Sequence, residues 1–481
     1  MAESSTNNII ITLNVGGQLF QTTPQTLALA GSNSLLYTFS ASTTTVFIDR
    51  DPDLFSILLS FLRTSRLPSK SLRFDLLDII AEAEFYGIDP RSITGVSDSS
   101  RFDGFDLQKS KILPLNGRDS PSAISTTTAS ESVYVAHGNK ITYFDWSLRR
   151  KSTLLTCFPE IDSLLGVSDS LVAAGATDFA GLRVFNVGKR EVKATLTWKS
   201  NPLPGVGGNS TVQAIGSSPN HLFGSFESSR RNSNAIVAFD HTTLQPAVEF
   251  SRADEIYSST ATTANDLYSA IPSTKLQWLA SSNVLMASGS HGGPSGLVGN
   301  IKLWDIRSTN GGPIWHLKER DDCFSDVTVS DTLSTIFKVG INSGDVFMID
   351  MRRLTNGGSK QDGTQWARIG EVWRSTGASG KGREGSGCKM ESYGNQVFCV
   401  KGENVEIWSE VAIASTVRDS GLAIEYGMVD GRVMRRNVMG KIKDGGCGRI
   451  TKIGFGGNRM FLTRKDQQFV EVWESHVVLK L

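Results

Sequence analysis

The stretch TKLQWLASSN (274–283), followed by VLMASGSHGG (284–293) and NIKLWDIR (300–307), decides the architecture. It reads as a strand, a turn of Ser and Asn, a second strand ending in Gly, and a third strand carrying an aromatic. The same unit recurs from about residue 106 onward. Its third strands align as ITYFDW (141–146), LRVFNV (182–187), AIVAFD (235–240), IKLWDIR (301–307), VFMIDMR (346–352), VEIWSE (405–410) and VEVWES (471–476). The key positions are Phe144, Phe185, Phe239, Trp304, Ile349, Trp408 and Trp473, spaced 41 to 65 residues apart. Insertions in turns account for the uneven spacing. Seven strand triplets predict a propeller, because each sheet buries its faces against its neighbours and closing the ring removes exposed ends. A further hairpin, LAIEYGMVDGRVMRRNV (422–438), lacks an aromatic at the key position and leaves eight blades as the alternative to seven.

The first 90 or so residues have a different texture. IIITLNV (9–15) reads as a strand, Gly16-Gly17 as a tight hairpin turn, Gln18 to Thr22 as the return strand and VFI (46–48) as another. DPDLFSILLSFLRTS (51–65) reads as a helix, with Asp51 as cap and Pro52 at its first position. Leu54, Leu58, Phe61 and Leu62 form its buried face. A second helix is predicted over about 72–86, stopped at Gly87. The expected organisation is therefore multidomain: a small α/β domain over 7–95, a polar linker over 96–105 and an all-β propeller over 106–481.

Composition bounds the function. The chain has 481 residues with 49 Lys and Arg against 48 Asp and Glu, a net charge of +1. That balance gives no electrostatic reason to bind nucleic acid or a membrane surface. The first 95 residues hold six basic and nine acidic side chains, whereas 425–481 hold eleven and six. No apolar run approaches the roughly 18 residues of a membrane helix. MAESSTNN lacks a basic region followed by an apolar core, so no secretory signal is expected. The five scattered cysteines fit a reducing compartment, cytoplasmic or nuclear.

Three N-terminal segments carry a family resemblance. LNVGGQLFQTTPQTL (13–27), IDRDPDLFSILLSFLRTSRLP (48–68) and AEAEFYGI (81–88) resemble the BTB/POZ domain of the potassium-channel tetramerisation type. The repeats after 106 resemble WD-repeat propellers, most closely at Leu303-Trp304-Asp305, the one copy that keeps a Trp-Asp pair. The combination is similar to plant-type BTB proteins with a WD-like propeller, regarded as substrate adaptors of cullin-3 ubiquitin ligases. A channel role does not follow, since there is no span to be tetramerised. The zinc-binding His/Cys set of some of these domains is missing too, with no His or Cys in 1–136.

The resemblance implies two contact regions. Asp49, Arg50 and Asp51 stand where the family self-associates, and alternating charge at one turn suits pairing with a second copy. The plainer alternative is that Asp51 only caps its helix. Leu36, Tyr37 and Phe39 lie in the segment matching the cullin contact, against the alternative of ordinary core packing. The stretch between Phe39 and Val46 departs from the family in lacking an acidic, Gly-containing insert. For the propeller the expected role is capture of a protein substrate through loops such as 200–210, 227–234, 288–300, 355–365 and 375–387.

No catalytic constellation is visible. Six histidines occur without metal-site spacing, and His137 and His291 are expected in turns. GASGKGREGSGCK (377–389) lacks the Gly spacing and the Ser or Thr of a phosphate-binding loop, and GxSxG is absent. No catalytic residue, cofactor or metal is expected. The expected partners are a second copy of the chain, cullin-3 and a protein substrate. The rivals are an oligomeric scaffold that meets no cullin and an enzyme with its site in the propeller channel.

Overall fold

Ile11, Leu13 and Val15 alternate with Thr12 and Asn14, and this period of two makes β1 (Ile11–Val15) a strand with one buried face. Gly16 and Gly17, both at positive φ, turn the chain into β2 (Gln18–Thr22). A Cβ on Gly16 would meet the carbonyl oxygen of Arg50 at 2.5 Å, so glycine is required there by space as well as by φ. β3 (Val46–Ile48) pairs parallel to β1, giving the order β2-β1-β3. The structure, a computed structural model, describes residues 10–31, 34–40, 46–64, 68, 74, 76–88, 102–127, 132–145, 148–168, 170–198, 210–228, 233–250, 271–293, 296–308, 312–319, 322–354, 366–369, 384–411, 425–429, 432–439 and 448–475.

Four helices cover one face of this sheet: α1 (Pro24–Ala28), α2 (Leu35–Phe39), α3 (Pro52–Thr64) and α4 (Leu76–Tyr86). Thr23 and Ser34 cap the two short ones, which the sequence reading had not marked. The Asp51 carboxylate accepts the backbone N–H groups of Asp53 (2.7 Å) and Leu54 (3.2 Å), capping α3 as expected. Phe55, Leu58, Phe61 and Leu62 of α3 pack on Leu13, Val15 and Tyr86 in a single core.

The remaining chain forms seven blades among the described residues, two of them joined into one eight-stranded sheet by the pairing of Ala180 with Thr211. The chain divides into two compact units, Met1–Asp98 and Ser99–Leu481. The seven first strands are Pro121–Thr127, Ser163–Gly166, Ser210–Ser217, Lys275–Leu279, Phe324–Ser330, Lys389–Tyr393 and Ile450–Gly456. Each contacts the next and the last returns to the first, which is a closed ring of blades around a central channel. The seven aligned third-strand positions, Phe144 to Trp473, are all buried.

The residue after the aromatic has an identifiable job. Asp145, Asn186, Asp240, Asp305 and Asp350 each accept a backbone N–H two to four residues on, at 2.8–3.0 Å, and so fix the turn that leaves the third strand. Blades six and seven have Ser409 and Glu474 there. Their third strands run on to Val411 and Ser475.

Two features differ from the sequence reading. The hairpin within 422–438 is not an eighth blade: Arg432–Met439 is the fourth strand of blade six, paired to Asn404–Val411, and Glu425–Val429 adds a fifth. Blade seven takes its fourth strand from the other end of the repeat region. β4 (Leu107–Pro114) pairs antiparallel with Phe469–Ser475 and closes the ring. Lys109 of β4 reaches Glu471 at 3.1 Å, and Arg464 holds the same buried carboxylate at 3.2 Å. Residues 102–105, at the end of the expected linker, pack into this region. Phe102 meets Tyr393, Phe398 and Phe455. The Gly104 N–H donates to Gln396 Oε1 at 2.7 Å, and a Cβ on Gly104 would lie 2.8 Å from Gln396 and Phe398.

Neither histidine singled out is a turn residue. His137 ends a second strand, fully buried, with Nε2 2.8 Å from the Thr142 hydroxyl. Burial, then the Lys140 charge, lowers its pKa to about 4. His291 lies within Val284–Gly293, opposite Val298. The segment 288–300, expected as a loop, is mostly the extended end of that hairpin, since the backbone ladder needs no side chain from its glycines. Among the described residues, no helix is long and apolar enough to cross a membrane.

Candidate interaction surfaces

Three consecutive apolar residues in a strand cannot all face one core. In β3, Val46 and Ile48 turn inward, so Phe47 turns out and is 62% exposed. In β2, Phe20 packs on the core, so Leu19 turns out and is also 62% exposed. Asn14 of β1 is the cross-strand partner of both. Leu19, Asn14 and Phe47 therefore form one row across the outer face of the sheet. The side-chain oxygen of Asn14 is buried and accepts no hydrogen bond, which leaves an acceptor unsatisfied in the middle of an apolar row.

The charged turn follows β3 directly. Asp49 and Asp51 are exposed, and Asp51 is committed to the α3 cap. Arg50 is held within its own domain: its guanidinium lies 3.8 Å from the Phe85 ring centroid and 3.8 Å from the Glu82 carboxylate. Glu82 is buried, and its pKa is raised by burial against the opposing charge of Arg50.

The other expected contact residues lie on α2. Leu36 is 1% exposed and belongs to the core. Phe39 is half-buried against that core, and Tyr37 is 44% exposed. Residues 41–45 of the following loop lie outside the described residues.

The ring has a different surface. Among the described residues its exposed large apolar side chains are Ile112, Leu155, Val192, Ile314 and Val438, on or beside the fourth strands of five different blades. Scattered singly, they form no patch. Four of the eleven basic side chains of 425–481 are paired internally. Arg432 pairs with Asp350 and Glu410, Arg436 with Glu406, Arg459 with Glu474 and Arg464 with Glu471. Of the loops expected to bind substrate, 201–209, 355–365 and 375–383 lie outside the described residues.

Residues 11–96 match the family model of the BTB/POZ domain, and residues 118–475 match that of the At2g24240-like, C-terminal beta propeller. The chain belongs to this family of BTB/POZ propeller proteins. It is 51% identical over 471 residues to the BTB/POZ domain-containing protein At5g41330 of Arabidopsis thaliana, covering 97% of this chain and 96% of that one. It is 23% identical over 489 residues to the BTB/POZ domain-containing protein At2g24240 of the same plant, covering 97% of each. The human BTB/POZ domain-containing protein KCTD3 is 43% identical over 88 residues, 17% of this chain and 11% of that one. BTB domains and propellers are typically interaction modules without catalysis, and BTB domains generally mediate protein contacts and oligomerisation.

Leu19 and Phe47 were missed when contact residues were sought in charged and loop segments. The signal was present in the strands themselves, as an apolar middle residue flanked by inward-facing neighbours.

Proposed function

We propose that this protein is a two-part substrate adaptor of a cullin-3 RING E3 ubiquitin ligase. The BTB domain self-associates and docks the cullin, and the propeller captures a protein substrate. The adaptor positions the substrate and leaves ubiquitin chemistry to other subunits.

The observation that supports this most is the apolar row of Leu19 and Phe47 around the unsatisfied Asn14 oxygen. A surface of that kind gains from being covered. We assign it to a second copy of the domain, with Asp49 beside it. Tyr37, the exposed aromatic side chain of α2, is the residue assigned to the cullin. Joining two or more propellers raises the effective concentration at a multivalent substrate, so weak single contacts suffice.

Co-purification of the full-length chain with immobilised cullin-3 tests this reading. Retention that is lost in Tyr37→Ala is expected. No retention at micromolar concentration, with self-association intact, makes the protein an oligomeric scaffold instead. The burial of Leu36 favours that second reading, because it removes one of the three contacts the family resemblance implied.

A further inference from the structure

The charged residues of the seven first strands gather on one side of the ring. Blade four contributes Lys275, blade five Asp326, blade six Lys389 and Glu391, and blade seven Lys452. The first strands of blades one to three carry no charge. All five residues lie within the first three positions of their strands. First strands of successive blades run in the same direction, so these positions meet at one end of the channel.

Lys275 is neutralised there. Its ammonium lies 3.1 Å from Glu391 Oε1 and 3.5 Å from Asp326 Oδ2, and it donates to the Met390 carbonyl. Burial opposes its charge, yet the two carboxylates outweigh burial and raise its pKa.

Lys389 and Lys452 have no such relief. Among the described residues no carboxylate stands within ion-pairing distance of either, and neither ammonium makes a hydrogen bond. The charges acting on Lys452 belong to Lys389, Asp162, Asp326 and Lys275, which come from blades six, two, five and four. Only a side chain projecting into the channel meets all of these. Burial, then the like charge of Lys389, lowers the Lys452 pKa. Asp162, one of the two acidic residues in that set, already accepts the Thr177 N–H and hydroxyl, both at 2.8 Å. Two cations that share this end of the channel, neither of them ion-paired among the described residues, form a place where an oxyanion is favoured.

We propose that Lys389 and Lys452 form an oxyanion-binding site at this end of the propeller channel, for a phosphate or carboxylate group carried by a ligand. The inference stands whether or not the BTB domain docks a cullin. Lysine serves such a site as a point charge, without the fixed geometry of an arginine fork. Paired Lys275 bounds the site on the blade-four side and keeps Asp326 and Glu391 turned to itself.

Competitive lysine acylation on the full-length chain, read residue by residue by mass spectrometry, tests the site. The probes are inorganic pyrophosphate and hexaglutamate, each against sodium chloride at equal ionic strength. Pyrophosphate at ten times its dissociation constant is expected to slow acylation of Lys452 about tenfold, the protection of a site nine-tenths filled. Lys189, exposed on the rim, should be unaffected. Protection by hexaglutamate as well assigns a carboxylate-bearing ligand, and protection by pyrophosphate alone a phosphate-bearing one. In Lys389→Met the protection of Lys452 should fall, and Lys389→Arg should restore it. Equal protection by chloride, no protection of Lys452 by either probe, or full protection in a folded Lys389→Met variant overturns the proposal.

Discussion

The BTB domain and the propeller dispose of their apolar side chains in opposite ways. The small domain exposes Ile10, Leu19, Leu29, Tyr37, Phe47 and Phe85, and two of these share one row on one sheet. The ring, several times longer, exposes five among the described residues, on five separate blades. Closure explains the ring. Each blade presses both faces on neighbours, and ion pairs such as Lys338–Glu319, at 2.8 Å, hold charged groups within it. A three-stranded sheet covered by helices on one side has a second face that nothing of its own covers among the described residues. The difference teaches that the two units present different chemistry at their surfaces: an apolar row at the BTB sheet, and a mainly polar and charged surface at the propeller.

The contrast can be broken at the ring's core first. Phe398 is fully buried, with ring centroids 4.5 Å from Phe455 and 5.8 Å from Phe102. Phe398→Ala is expected to cost about 3–5 kcal/mol of propeller stability. Fluorescence of the nine tryptophans reports it in a denaturant titration, since all nine lie after residue 145. The BTB helices, followed by circular dichroism, should be unaffected. A shared loss would mean that the units unfold as one.

Acid should separate the units next, with opposite signs. Buried His137 holds its pKa near 4, below the ordinary 6.5. The unfolded chain therefore binds the proton first, and His137's contribution, full above pH 6.5, is lost as pH falls toward 4. Between pH 6.5 and 5 that is about 2 kcal/mol. Glu82 of the BTB domain is raised instead, so its term favours the folded state at low pH and is lost as pH rises through its folded value. Tryptophan-detected stability should fall on acidification, less steeply in His137→Gln, while the helical signal does not follow it. Identical slopes for His137→Gln and the parent would remove His137 from the explanation.

The smallest effect concerns the charged turn. Asp51→Ala removes the one carboxylate oxygen that accepts two N–H groups at the start of α3 and should cost about 1 kcal/mol. If the residue only caps, assembly mass is unchanged at the same concentration. If mass falls as well, Asp51 also faces the second copy.

Much of the fold was readable because the repeated third strands are apolar and carry a bulky residue at one register. The fourth strands were not. β4 is exposed at all but two or three of its positions, and an outer strand packed on one side carries little apolar signal. That is also why 422–438 looked like a spare blade. The candidate surfaces were hidden for different reasons. Leu19 and Phe47 are recoverable from alternation alone. Lys275, Lys389 and Lys452 are scattered over the chain, and only ring closure brings them to one end of a channel.

The central claim is that the outer face of the BTB sheet joins copies of this chain. The molar mass of the full-length protein by light scattering, beside that of Leu19→Asp/Phe47→Asp, tests it most directly. The parent should weigh a whole multiple of one chain, and the double variant a single chain with both unfolding transitions unchanged. A parent of single-chain mass, or a folded double variant that keeps the parent's assembly, would contradict it.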